Sequence, residues 1–360
     1  MSKTTEWDLI SSDAGLLGLA CICIYTGSLS SLPDPKKCAG RTPKYGTESG
    51  DDDESEISER LSLNDAWLFP IIGSVVLFGL FLVIKYFGKE WINWLLGWYF
   101  SVVGVGSVWK SSETIARYLI GTEQWKRSER FSIDVKKGDT SVFVMKWRSP
   151  SVLLLPFSVI PSALYRYSST SRRSALLTDI LSMSYSHSIL SLLKLDSFKT
   201  GAALLSGLFL YDIWWVFGTP VMVTVATTLD IPIKLLWPKS LLLSDMNGFT
   251  MLGLGDVVIP GTFVSLAIRY DYHLHLKSGK SGATFRKLYF CAAFVAYIIR
   301  LVTTMSVMHF FKAAQPALVY LSPACILSFI ITALYRGEFS HAWNWIDGPE
   351  SNVKAKEKQD

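Results

Sequence analysis

Residues 207–218 read GLFLYDIWWVFG and residues 251–261 read MLGLGDVVIPG. Each is an apolar stretch with a single carboxylate, Asp212 in the first and Asp256 in the second. An ionisable side chain is costly in hydrocarbon, so an acidic residue in that setting marks function when it has a partner. The fold turns on whether these stretches lie in a membrane and whether the two Asp meet.

Composition bears on the first question. Of 360 residues, 50% are hydrophobic and 18% charged, with 13 Trp and a mean hydropathy of +0.30. That balance excludes a disordered tail, a DNA-wrapping protein and a small disulfide scaffold. A spanning helix needs about 20 mostly apolar residues. Such stretches occur at 14–29, 66–87, 91–109, 151–167, 175–194, 200–228, 249–269, 285–309 and 314–335. The expectation is an all-α polytopic membrane protein with about nine transmembrane helices. The fourth and fifth segments are the weakest, because Pro156 and Pro161 interrupt one and the other holds Asp179, His187 and several Ser. Glu6, Asp8 and Asp13 precede or open the first segment against one Lys3, unlike the positive start of a cleaved signal peptide, so a retained helix is expected.

Five units follow. Residues 1–30 hold the N-terminus and first helix. Residues 31–65, rich in Pro, Gly and acidic side chains, bury too little apolar surface to offset chain entropy and read as a disordered cytosolic loop. Residues 66–194 form a bundle of helices two to five, residues 195–336 a second bundle of helices six to nine with both Asp, and residues 337–360 a tail. Counted on alternate sides of the membrane, 25 of the 35 Lys and Arg fall on the side of the C-terminus and 9 on the other, with Arg300 inside a span. Positive loops stay cytosolic, so the C-terminus is expected in the cytosol and the N-terminus in the lumen or exterior.

That orientation gives depths. Asp212 follows Thr200 by 12 residues and Asp256 precedes Arg269 by 13, which is about 18 and about 20 Å from the cytosolic end at about 1.5 Å per residue. Carboxyl groups at one depth on consecutive antiparallel helices can meet. Two that meet in a low-dielectric site cannot both ionise cheaply, so they share a proton, and the titration belongs to the pair. One then acts as base toward water while the other donates to a carbonyl oxygen, the division of labour in aspartic proteases. Gly253 and Gly255 flank Leu254 ahead of Asp256 and permit irregular backbone and the close approach of an extended substrate strand. Tyr211 offers a phenol beside Asp212. Gln315-Pro316-Ala317-Leu318 opens the last span, where Pro316 either kinks a helix or starts one.

From the two Asp alone, a proton-relaying transporter stands level with a protease. Gly279-Lys280-Ser281-Gly282 fits a rhomboid-like GxSG with His309 later in the chain, but lies in a Lys-flanked polar loop. His273 and His275 are two apart and share no helix face, no HExxH occurs, and the five Cys (Cys21, Cys23, Cys38, Cys291, Cys325) contain no CxxC. No metal site is expected. The basic residues form no stripe interleaved with aromatics, so no nucleic-acid partner is expected. Arg300 has no functional account, and Asp230 and Asp245 read as solvated loop residues.

Tyr211-Asp212, Gly253-Leu254-Gly255-Asp256 and Gln315 to Leu318, in that order, resemble the signature of the presenilin-type intramembrane aspartic proteases. LYDIWWVFGTPVMVTVAT (210–227), PIKLLWP (232–238) and MHFFKAAQPALVYLSPAC (308–325) are similar to the signal-peptide-peptidase branch. The match covers about residues 195–337; the rest agrees in hydropathy and helix number. It implies nine helices, Asp212 and Asp256 as catalytic dyad, Pro316, Ala317 and Leu318 shaping the site, a lumenal N-terminus, and cleavage of signal peptides and type II membrane segments in the bilayer. Water is the nucleophile and no cofactor is implied. Trp214, Val319 and Pro220 depart from the usual pattern, which bears on pocket shape and not on chemistry. A runner-up keeps the fold but makes the chain a binding and quality-control factor alongside endoplasmic-reticulum degradation machinery; a homo-oligomer is compatible with both. Lys356 and Lys358, fifth and third from the end, resemble a dilysine retrieval signal and favour the endoplasmic reticulum membrane.

Overall fold

The computed structural model describes residues 6–32, 60–127, 129–137, 140–167, 175–229, 231–239, 248–278, 285–311 and 316–348. The chain is mostly helical, as expected. In order it runs α1 (Glu6–Ser30), β1 (Arg60–Leu61), α2 (Leu63–Phe87), α3 (Lys89–Ile120), α4 (Thr122–Arg127), β2 (Arg130–Lys137), β3 (Thr140–Arg148), α5 (Ser149–Tyr167), α6 (Ala175–Leu192) and β4 (Lys194–Leu195). It continues with α7 (Phe198–Phe217), α8 (Val221–Thr228), β5 (Lys234–Pro238), β6 (Phe249–Gly253), α9 (Leu254–Lys277), α10 (Leu288–Phe311), α11 (Ala317–Tyr335) and α12 (Phe339–Trp343). Among the described residues five helices, α1, α2, α7, α10 and α11, are by length and composition apolar enough to cross a membrane. The acidic segment 33–59 lies outside the described residues.

The helix ends follow local chemistry. Before α2 the Asp65 carboxylate accepts from the Ser62 N–H at 3.0 Å and from the Ser62 hydroxyl at 2.7 Å, tying a first-turn acid back to the cap. Gly88, at φ 85, lets the chain reverse between α2 and α3 where a side chain would be strained. Pro156 and Pro161 do not divide α5, which runs unbroken through both. Proline is tolerated in membrane helices because neighbouring groups take up the freed carbonyls.

Two expected spans are corrected. Residues 200–228 are not one helix: α7 ends at Phe217, and Pro220, which has no N–H to donate, caps a separate α8. Residues 249–253 are not helical but form β6, antiparallel to β5 with Lys234 opposite Gly253 and Pro238 opposite Phe249. The helix therefore starts only two residues before Asp256. A second antiparallel hairpin, β2 with β3, lies in the basic loop before α5 and was not expected.

The core is built around α9. It packs on α1, α6, α7, α10 and α11, and its buried face includes Val257, Phe263, Val264, Leu266, Ile268 and Tyr270. Close approach depends on glycine, as is usual where helices gain nothing from hydrophobic contrast with lipid. A Cβ on Gly201 of α7 would lie 2.8 Å from the Phe263 ring. Helix α9 runs to Lys277, eight residues past the expected end at Arg269, and Arg269, 4% exposed, pairs with Asp347 at 2.9 Å and donates to the Leu195 carbonyl at 3.1 Å. Arg60 donates to the Asp347 carbonyl, and Trp345 is buried beside Phe198 and Tyr270. The chain after α11 is thus folded back onto the bundle as far as residue 348.

Candidate active site

Asp212 sits on α7 and is 3% exposed. A carboxylate this buried needs donors, and one comes from α11. Pro316 is the cap residue of that helix, with φ −71 and ψ 114, so the Pro-Ala-Leu segment is a helix start and not a kink. The first backbone N–H groups of a helix have no partner within it and carry its positive end. Here the N–H of Leu318 donates to Asp212 Oδ2 at 3.2 Å. Ala317 and Leu318 are buried at 7% and 5% exposure, so the contact is shielded from water. Gln315 lies outside the described residues.

Asp256 occupies the first turn of α9, with Gly253 as its cap residue in extended conformation at the end of β6. The bare Gly253 makes room for the carboxylate: a Cβ there would stand 3.3 Å from Asp256 Oδ2. Leu254 is buried, whereas Gly253 and Gly255 are exposed, so the backbone ahead of Asp256 is accessible. Asp256 is close enough to Asp212 for the two charges to interact. The fold therefore brings together Asp212, Asp256, Gly253 and the start of α11 from three separate parts of the sequence.

Tyr211 lies within electrostatic reach of Asp212, and its ring is turned toward α2. Its ring lies near Gly73 of α2, 6.3 Å from that of Trp215. With Pro70, Ile71, Ser74 and Gly207 these two aromatics line a groove of about 460 Å³ between α2 and α7. Trp215 Nε1 donates to Ser74 Oγ at 3.0 Å across the same groove.

Sequence reasoning passed over Tyr297 of α10. It is fully buried, its hydroxyl has no hydrogen-bond partner among the described residues, and it lies close enough to Asp256 for their charges to interact. No motif marks it, because a tyrosine in an apolar helix looks like core. Other candidates are not assembled. His309 pairs with Asp13 at 3.3 Å, and the Gly279 to Gly282 loop lies outside the described residues. Arg300 is on the exposed face of α10. Among the described residues no three His, Cys, Asp or Glu side chains gather as a metal site.

Comparison with known proteins bears on this geometry. The sequence model of the signal peptide peptidase family matches residues 53–347. Signal peptide peptidase of Homo sapiens is 36% identical over 344 residues, covering 94% of this chain and 83% of its own. A probable intramembrane protease of Schizosaccharomyces pombe is 32% identical over 310 residues, 86% of this chain and 92% of its own. Intramembrane protease 2 of Caenorhabditis elegans is 42% identical over 195 residues, 51% of this chain and 42% of its own. With a family match over residues 53–347 and a relative 36% identical over 94% of its length, this chain belongs to the signal peptide peptidase family of intramembrane aspartic proteases.

Proposed function

We propose that Asp212 and Asp256 are the catalytic dyad of this protease and that its substrates are signal peptides and type II membrane segments. The observation that carries the assignment is the Leu318 N–H holding Asp212, with Asp256 within electrostatic reach of the same carboxyl group. With one proton between them, the ionised carboxylate takes a proton from water as it attacks the scissile carbonyl carbon, and the protonated one donates to the carbonyl oxygen. The donor from α11 fixes one carboxylate oxygen and leaves the other for proton transfer. Peptide bonds in a helix are shielded, so the substrate must be extended at the cut. The accessible backbone of Gly253 and Gly255 suits an extended partner, whose amides need hydrogen bonds in the bilayer.

The charge count supports a lumenal N-terminus and a cytosolic C-terminus. Lys356 and Lys358, outside the described residues, support retrieval to the endoplasmic reticulum. The relatives named signal peptide peptidase support the substrate class.

The test is cleavage of a labelled signal peptide by the purified full-length chain in detergent, with Asp212→Ala, Asp256→Ala and an aspartic-protease transition-state analogue. Loss of cleavage in both variants, and its block by the analogue, is expected. Substantial cleavage by either variant rules out the dyad. A folded wild type that cuts none of several such peptides turns the reading toward binding and quality control.

A further inference from the structure

Strand β5 has two edges, and only one is paired with β6. Backbone groups on the other edge face α6 in an apolar bundle, where an unpaired N–H or C=O is costly. Two side chains of α6 meet three of them. Asp179 Oδ1 accepts the Leu236 N–H at 2.7 Å, and Ser182 Oγ lies 3.0 Å from the Pro232 carbonyl and 2.8 Å from that of Lys234, to which it donates. Asp179 is 9% exposed and Ser182 fully buried. Three residues apart on a helix, they share one face.

The pattern specifies register. Residues 232, 234 and 236 alternate along the strand, so their main-chain groups point to the same edge. A slip of β5 by one residue would offer α6 the groups that belong to the β6 ladder, and would strand both side chains. The ladder carries this register onward, with Lys234 opposite Gly253, Leu236 opposite Met251, and Leu254 N–H donating to the Ile233 carbonyl at 3.0 Å. Asp256 follows within one helical turn.

We infer that Asp179 and Ser182 are positioning residues of the protease: by bonding the outer edge of β5 they set the hairpin's register, and through it the place of Asp256 against Asp212 and the substrate bond that is cut. This rests on the proposed dyad. Neither residue touches the reacting atoms; each acts through the hairpin.

The test uses the purified full-length chain in detergent and one labelled signal peptide, with steady-state kinetics and product masses for wild type, Asp179→Ala, Asp179→Asn, Ser182→Ala and Asp256→Ala. A misplaced catalytic group costs rate more than binding, so Asp179→Ala should lower kcat about tenfold with KM within about twofold, and spread the cut over neighbouring bonds. Asp179→Asn keeps an oxygen acceptor and should cut at the wild-type bond with kcat within about twofold of wild type. Ser182→Ala should shift in the same direction as Asp179→Ala. A merely structural role would lower the yield of folded protein and leave the cleavage site unchanged. Asp179→Ala cutting the wild-type bond at the wild-type rate overturns the inference, as does Asp179→Asn being as impaired as Asp179→Ala. If Asp179→Ala does not fold, an unchanged rate and cleavage site in Ser182→Ala overturns it. When Asp256→Ala is dead and the brace variants are normal, only this inference fails; when Asp256→Ala cuts like wild type, the dyad fails and the inference with it.

Discussion

The N–H of Leu318 reaches Asp212 Oδ2 across 3.2 Å, joining residues 106 apart in sequence. The start of α11 is thereby part of the candidate dyad, and Pro316 sets how α11 starts. Proline holds φ near −65°, and Pro316 is found at −71. Pro316→Ala frees that torsion without emptying the core. Cleavage of a labelled signal peptide should fall about tenfold, with folding stability changed by about 1 kcal/mol or less. A larger effect on thermal unfolding than on cleavage would make Pro316 only a helix start.

Leu190 of α6 is wedged between two glycines. A Cβ on Gly27 of α1 would lie 2.6 Å from its Cδ1, and one on Gly261 of α9 would lie 2.9 Å from its Cδ2. Gly27→Ala and Gly261→Ala should each destabilise by about 1–3 kcal/mol through overpacking. Adding Leu190→Ala should offset part of either loss, because the clash partner is gone. Strictly additive effects in thermal unfolding would refute the wedge.

Arg269 and Asp347 form an ion pair at 2.9 Å, with Arg269 the more buried partner. Asp347→Ala leaves a buried guanidinium without its counter-charge and should cost about 3–5 kcal/mol. Arg269→Leu removes the buried charge, and the remaining carboxylate, 13% exposed, can draw on water, so the cost should be smaller. Denaturation of the two variants in the same detergent decides the order, and Arg269→Leu being worse would contradict it.

His341 on α12 accepts from the Lys277 ammonium at Nε2, 3.0 Å away, so it is neutral and its Nδ1–H donates to the Tyr270 hydroxyl at 3.1 Å. Burial first, and the Lys277 charge second, hold its pKa below the ordinary 6.5, with Glu338 opposing. The unfolded chain therefore takes up this proton before the folded one does. The contribution to stability is complete above pH 6.5 and is lost as pH falls through 6.5 toward the folded value. An NMR titration of His341 with a midpoint at or above 6.5 would be inconsistent with this network.

Much of the architecture was legible because its signals are local. Hydropathy marked α1, α2, α7, α10 and α11, and the same signal located α5 in spite of its prolines. The site was half legible: Asp212 and Asp256 stand out as acids in apolar runs, but Asp179 looked like a defect in a span and Tyr297 like core. Asp179 takes its meaning from a group on another element, the Leu236 N–H, and only the fold sets Tyr297 within electrostatic reach of Asp256. FTMLG at 249–253 was read as the start of a helix, since a short apolar run carries no period that separates helix from strand. Its pairing with residues 234–238 decided the matter.

Sequence alone determined that this chain is a polytopic membrane protein and that two acids stand in apolar runs, because hydropathy and the cost of burying charge are properties of the chain itself. Tertiary structure decided what those acids face. The N–H of Leu318, the bare backbone of Gly253 and the brace of Asp179 and Ser182 act through backbone groups that every residue possesses, and such groups acquire identity only from what the fold sets opposite them.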